Sequence, residues 1–325
     1  MTLQTRLRIS AAWAGMAFLA VAPLTASAAN QGLNWFARRH GFTDFQVRDR
    51  TIVMARRFHS FELMGNSRQA QYNGTTIWLN HPVQADRGGW VVSDTDAENT
   101  LLALAFPHRR LQQAGYGLVV LDAGHGGHDK GAVSPRQVEE KRVNLYLARR
   151  VQHLLQQQGV RVRLTREDDR YLTLEERCAR AASWKGDLFV SIHMNSAASR
   201  SAQGIETHIM PPAGAPVTAD SRVTERDRLS YPGNRFDAAN MLLGYNLQNN
   251  MLRATRAQDR GVRRSRFYVL RNSPCPAALV EGGFISNPEE EHNIIQQTYR
   301  DKLAEGITKG ILDYLNVVRQ ARTGR

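Results

Sequence analysis

Two histidines lie just past apolar runs that read as buried strands. His125 ends Gly117-Leu-Val-Val-Leu-Asp-Ala-Gly-His, and His193 ends Asp187-Leu-Phe-Val-Ser-Ile-His. A third run, Ala277-Ala-Leu-Val, delivers Glu281 in the same way. In an open α/β sheet the carboxyl ends of the strands share one edge, and ligands bind in the crevice there. Three polar groups at three strand ends can therefore meet from distant parts of the chain. Two imidazoles with carboxylates form a zinc-ligand set. Glu140, at the start of a helical stretch, can aim its carboxylate back at the strand ends. Two histidines and one glutamate leave a fourth tetrahedral position for water, as a catalytic zinc requires, and the metal lowers the pKa of that water from ~15.7 to ~7. Glu281 is then free to accept a proton and return it to a leaving amine.

Each residue also has an ordinary reading. A lone histidine at a strand end is commonly a hydrogen-bonded structural residue, and Glu140 alone fits a helix-start acid stabilised by the dipole. Glu281 resists this treatment, because an acid between Val280 and Gly282 at the end of an apolar run is costly to bury without a partner. His128 and Glu139 compete with His125 and Glu140, and position alone excludes neither.

The elements that must carry these groups alternate between strand and helix from Gly117 onward, which predicts a mostly parallel, twisted α/β sheet flanked by helices. Val143, Leu147, Val151, Leu154 and Leu155 share one helical face, closed by Gly159. Val160, Val162 and Leu164 alternate with Arg161 and Arg163, as in a strand with one wet face. Strands are expected over Leu188 to Ile192, Ile205 to Ile209 and Phe267 to Leu270. Thr173 and Glu176 have capping-box spacing. Asn287-Pro-Glu-Glu is a helix start, and Leu303, Ile307, Ile311 and Leu315 stripe the last helix. Pro211 to about Asp237 reads as a long loop beside the crevice. Residues 29–112 read as a small β-rich accessory domain: Thr51-Ile-Val-Met and Thr75-Thr-Ile-Trp-Leu are strand-like, and Asn73-Gly74 signals a turn. This segment resembles the small domain at the N-terminus of copper amine oxidases.

The chain of 325 residues is 42% hydrophobic and 22% charged, within the range of globular proteins. Residues 1–28 read as a signal peptide: Arg6 and Arg8, an uncharged stretch from Ile9 to Val21 too short for a membrane span, then Ala26-Ser27-Ala28. Its removal lowers the formal charge of +13 by two, to +11. The expected product is exported, to the periplasm or beyond the cell, without stable membrane insertion. A basic exported protein suits anionic envelope material. Nucleic acid is argued against by export and by the lack of a basic stripe interleaved with aromatics. Cys178 and Cys275 do not make a disulfide framework and read as buried free thiols.

The block from Val119 to Glu291 resembles the zinc-dependent N-acetylmuramoyl-L-alanine amidases, bacterial cell-wall hydrolases. The pieces that carry the resemblance run in order. They are Leu-Asp-Ala-Gly-His125-Gly-Gly-x-Asp129-x-Gly131-Ala; Glu140-Lys141-x-x-Asn144-Leu; Leu164-Thr-Arg166; Ser191-Ile-His193-x-Asn195; Gly204-Ile-Glu206-Thr; Asp259-Arg-Gly261-Val; and Leu279-Val-Glu281-x-Gly283-Phe-Ile-Ser-Asn287. The resemblance implies a catalytic domain over 113–320 with a sheet of about six strands. It implies one catalytic Zn2+ held by His125, Glu140 and His193, with Glu281 as acid and base. It places His128 at a variable position and prefers Glu140, before Lys141, over Glu139. Asn195 and Glu206 are expected to orient the ligands from behind. The implied partner is peptidoglycan, cut at the amide between N-acetylmuramic acid and L-alanine of the stem peptide; a protein activator stays open. Lys130 stands where the family usually has proline, and the 211–237 segment does not align with the family's pattern. The competing readings are another exported zinc peptidase lacking the helical His-Glu-x-x-His arrangement, and an inactive wall-binding or activator protein on the same fold.

Overall fold

The computed structural model describes residues 30–111 and 114–323; the expected leader lies outside them. Eight strands come first: β1 (Asn30–Gly32), β2 (Asp44–Arg48), β3 (Thr51–Arg56), β4 (His59–Met64), β5 (Gln69–Tyr72), β6 (Thr75–Trp78), β7 (Gln84–Asp86) and β8 (Gly89–Ser93). Six follow: β9 (Leu118–Ala123), β10 (Arg161–Leu164), β11 (Leu188–Asn195), β12 (Ile205–Ile209), β13 (Asp259–Arg264) and β14 (Ala277–Phe284). The main sheet has the order β10-β9-β11-β14-β12-β13-β6-β5-β4-β3-β2, and β1-β8-β7 form a small second sheet.

The expectation of about six mostly parallel strands needs correcting. The sheet is mixed and has eleven strands, because the antiparallel meander β2–β6 extends the edge at β13. The junction is made by Val262 facing Ile77, by the Thr76 N–H donating to Asp259 Oδ2 at 2.7 Å, and by Trp78 Nε1 donating to the Arg260 carbonyl at 3.3 Å. Within β9–β14 the pairings are parallel except that between β12 and β14. The Asn73-Gly74 signal is a two-residue hairpin between β5 and β6, with both residues at positive φ as a type I′ turn demands.

Strand alternation sorts the sheet's two faces. Val119, Leu121, Val190, Ile192, Ala278 and Val280 join the large core, under the helices Glu140–Gln157, Asp237–Thr255 and Gln297–Thr323. Val120, Phe189, Leu279, Cys178 and Cys275 form a smaller core beneath the helices Leu174–Ser183 and Tyr268–Arg271. Both cysteines are buried and unbridged. The capping box at Thr173 and Glu176 is present, and the Asn287 side chain accepts from the Glu289 and Glu290 N–H groups.

The strand expected over Phe267 to Leu270 is instead a short helix, Tyr268–Arg271, and the strand lies upstream at β13. A four-residue apolar run cannot separate the two states. Strand β13 escapes pattern reading because Asp259, Arg260, Arg263 and Arg264 make up most of it. The 211–237 loop contains a helical turn at Glu225–Arg228 and a 3-10 segment at Pro232–Phe236. Among the described residues no helix is long and apolar enough to cross a membrane.

Candidate metal centre

Parity places the candidate groups together. His193 shares a face with Phe189, and Glu281 shares one with Leu279, so both project on the side of the smaller core. They are also direct neighbours across the parallel pair β11–β14. His125 reaches the same edge on the turn after β9, at φ 61° and followed by Gly126 and Gly127 at positive φ. Glu140 opens its helix, where the aligned peptide dipoles favour a carboxylate.

His125 Nε2 and His193 Nδ1 converge on the same oxygen, Glu140 Oε1, at 3.2 and 2.9 Å. The two rings lie 4.9 Å apart and nearly perpendicular. One donor atom from each of the three residues lies within 4.8 Å of the others. His125 Nδ1 donates to Asp129 Oδ2 at 2.8 Å, which turns the other ring nitrogen inward as an acceptor. Glu140 is 3% exposed and takes further hydrogen bonds from Asn144 Nδ2 (3.1 Å), the Met194 N–H (3.2 Å) and the Ala132 N–H (2.9 Å). Burial would raise its carboxyl, but the hydrogen bonds and charges of the two imidazoles outweigh that and hold it well below the usual range. Two imidazoles and one carboxylate at this spacing fit a zinc ion with an open position.

Beside the three, Glu281 is half-buried, and its inaccessible Oε2 has no hydrogen-bond partner among the described residues. Burial first, then the nearby Glu140 and Glu206 carboxylates, push it well above the ordinary range for glutamate. A cleft of about 440 Å³ opens over these groups, walled by Tyr171, Leu172, Phe267 and Leu279 and floored by His125, His193 and Glu281.

The rival residues lie outside the cluster. His128 packs on Tyr171 with ring centroids 4.1 Å apart, and Glu139 pairs with Lys130, Lys141 and Arg142. Asn195 and Glu206 differ from expectation: among the described residues neither hydrogen-bonds to His125, Glu140 or His193. Asn195 Nδ2 donates to Glu206 Oε1 at 2.8 Å, and Glu206 also receives His208 and Arg260. Burial would raise Glu206, but those partners and Arg263 bring it to about 2. Glu206 is instead the register neighbour of Glu281 on the other flank of β14. Among the described residues, the side chains outside the cluster that hydrogen-bond to the ligands are Asp129 and Asn144. The signal for Asp129 was its place four residues after His125.

Sterics show how little freedom the site has. A methyl group on Gly124 would overlap the His193 imidazole. Gly124→Ala is therefore expected to displace that ring, costing ~1–3 kcal/mol of stability and most of the metal affinity. Parallel thermal melts and metal titrations check it; unchanged metal affinity would refute the packing described.

The family whose description is N-acetylmuramoyl-L-alanine amidase matches residues 119–313. The chain is 36% identical over 196 residues to the uncharacterized protein YqiI of Bacillus subtilis, covering 60% of this chain and 84% of that one. It is 33% identical over 218 residues to the N-acetylmuramoyl-L-alanine amidase AmiC of Escherichia coli, covering 61% of this chain and about half (52%) of AmiC. The solved catalytic domain of CwlV, an N-acetylmuramoyl-L-alanine amidase from Bacillus (Paenibacillus) polymyxa, superposes with a TM-score of 0.52 at 34% identity, over 62% of this chain and 99% of that one. The family match spans more than half of the sequence and contains every residue of the cluster, so the chain belongs to the N-acetylmuramoyl-L-alanine amidase family.

Proposed function

We propose that residues 113–320 form the catalytic domain of a peptidoglycan hydrolase. It cuts the amide joining the lactyl group of N-acetylmuramic acid to L-alanine, with one zinc ion held by His125, Glu140 and His193 and with Glu281 as general acid and base. Residues 29–112 are the accessory domain. The observation that carries this reading is the partnerless, inaccessible Oε2 of Glu281 beside a His-Glu-His cluster whose two imidazoles line the same cleft. Export by the 1–28 leader, and a mature charge of +11, bring the protein to an anionic wall.

The chemistry that zinc supplies in such a donor set is Lewis acidity toward the scissile carbonyl and a water acidic enough to attack near neutral pH. Glu281 would take a proton from the attacking water as the oxygen of that water bonds to the carbonyl carbon. It then delivers the proton to the alanine nitrogen as the carbon–nitrogen bond breaks, leaving a lactyl carboxylate and a free stem peptide. Asp129 fixes the His125 ring, and the apolar walls Leu172 and Leu279 limit water in the cleft.

Purified peptidoglycan digested with the enzyme, with and without a chelator, and read by mass spectrometry tests the proposal. Intact stem peptides and undamaged glycan, released only without chelator, are expected. Free D-amino acids or shortened glycan would assign a different bond.

A further inference from the structure

The spacing of two of the three ligand residues is held by two cationic side chains that touch neither. Arg166 is 1% exposed, and its guanidinium donates to four main-chain carbonyls. Nε reaches Ala123 at 2.9 Å, Nη1 reaches Asp168 at 2.9 Å, and Nη2 reaches both Gly124 at 2.9 Å and Lys141 at 2.8 Å. Gly124 directly precedes His125, and Lys141 directly follows Glu140. One nitrogen atom thus spans the loop that carries one ligand and the helix that carries another.

A second strap runs beside it. Lys141 Nζ donates to the Gly127 carbonyl and to Asp169 Oδ2, each at 2.7 Å, and Asp169 Oδ1 accepts from the Gly127 N–H at 3.1 Å. Between them the straps grip residues 124 and 127, on either side of His125 and its positive φ. Among the described residues Arg166 forms no ion pair, so its burial is unfavourable in desolvation, with Arg177 adding repulsion that Asp122, Asp169 and Asp168 oppose. What a guanidinium offers there, and a neutral side chain does not, is a rigid planar fork that meets several carbonyls at once.

We propose that Arg166 and Lys141 are positioning residues that set the separation of His125 and Glu140 and so the affinity and geometry of the metal site. This rests on the zinc reading above. The conservative change Arg166→Lys keeps the charge and loses the fork, and Lys141→Met removes the second strap. Arg180→Lys serves as control, because among the described residues Arg180 Nη1 binds the Thr165 carbonyl beside Arg166 and hydrogen-bonds to no ligand segment.

The purified chain and its variants are stripped of metal, melted, and titrated with zinc against a chromophoric chelator; cobalt-loaded samples are read by visible absorption. Arg166→Lys and Lys141→Met are each expected to lose ~10–100-fold in zinc affinity and to alter the cobalt spectrum, a loss larger than their fall in metal-free melting temperature accounts for when scaled by Arg180→Lys. Parent-like affinity, or losses that track the fall in melting temperature across all three variants, overturns the inference alone. If Arg166→Lys does not fold, Lys141→Met is judged by the same criteria. A parent chain that binds no zinc overturns the zinc reading itself, and the inference with it.

Discussion

Glu281→Gln is expected to fold, to keep its metal and to lose ~10²–10⁴-fold in the release of stem peptides, the range that a positioned acid–base group contributes. The substitution preserves shape inside β14, where Glu281 is half-buried and flanked in register by His193 and Glu206. The amide cannot cycle a proton at Oε2, the atom that lacks a partner. Stability should not fall, because the carboxyl is destabilised by burial and by two neighbouring carboxylates, and a neutral isostere removes that repulsion. Rates on peptidoglycan, metal content and melting temperature together decide the case. Turnover within tenfold of the parent, at full metal loading, would remove Glu281 from the chemistry.

Much of the site was legible because its residues end apolar runs. His193 and Glu281 follow strands long enough to be recognised, and His125 follows one into a glycine-rich turn. Glu140 was separable from Glu139 only through the resemblance, since both sit at a helix start and periodicity does not rank them. In the structure the backbone distinguishes them: Glu140 N–H donates to the Ala132 carbonyl at 2.9 Å, and the side chain folds inward while that of Glu139 meets Lys130 and Arg142. The contributions of Arg166 and Lys141 were not legible, because Arg166 meets main-chain carbonyls, which carry no side-chain signature, and Lys141 meets the Gly127 carbonyl and the sequence-distant Asp169. Strand β13 was hidden by its own charge. Its arginines are tolerated because Arg260 pairs with Glu206 at 2.7 Å, while the buried Arg264 donates to Trp78 O and Thr100 Oγ1. The same strand explains the sheet's size. It offers an edge to β6 through backbone groups, and no pattern in residues 29–112 announces that pairing.

Loss of a ligand should behave differently from loss of the acid, and the contrast separates the two roles. His193→Ala leaves one imidazole and Glu140. It is expected to fold, to bind no zinc at concentrations that saturate the parent, and to fall at least ~10³-fold in activity, since the metal's stabilisation of the reaction is worth several kcal/mol at 1.36 kcal/mol per tenfold. His125→Ala should lose metal equally but also stability, by ~1–2 kcal/mol, because alanine must adopt φ near 61° without the imidazole's hydrogen bond to Asp129. The strand position of His193 spares its variant that strain. Metal content by elemental analysis, thermal melts and stem-peptide release form the test. Neither variant should be rescued by excess zinc to more than a few per cent of parental rate. Full metal binding in both histidine variants, or metal loss in Glu281→Gln, would reverse the assignment, making Glu281 the ligand and one histidine the proton carrier.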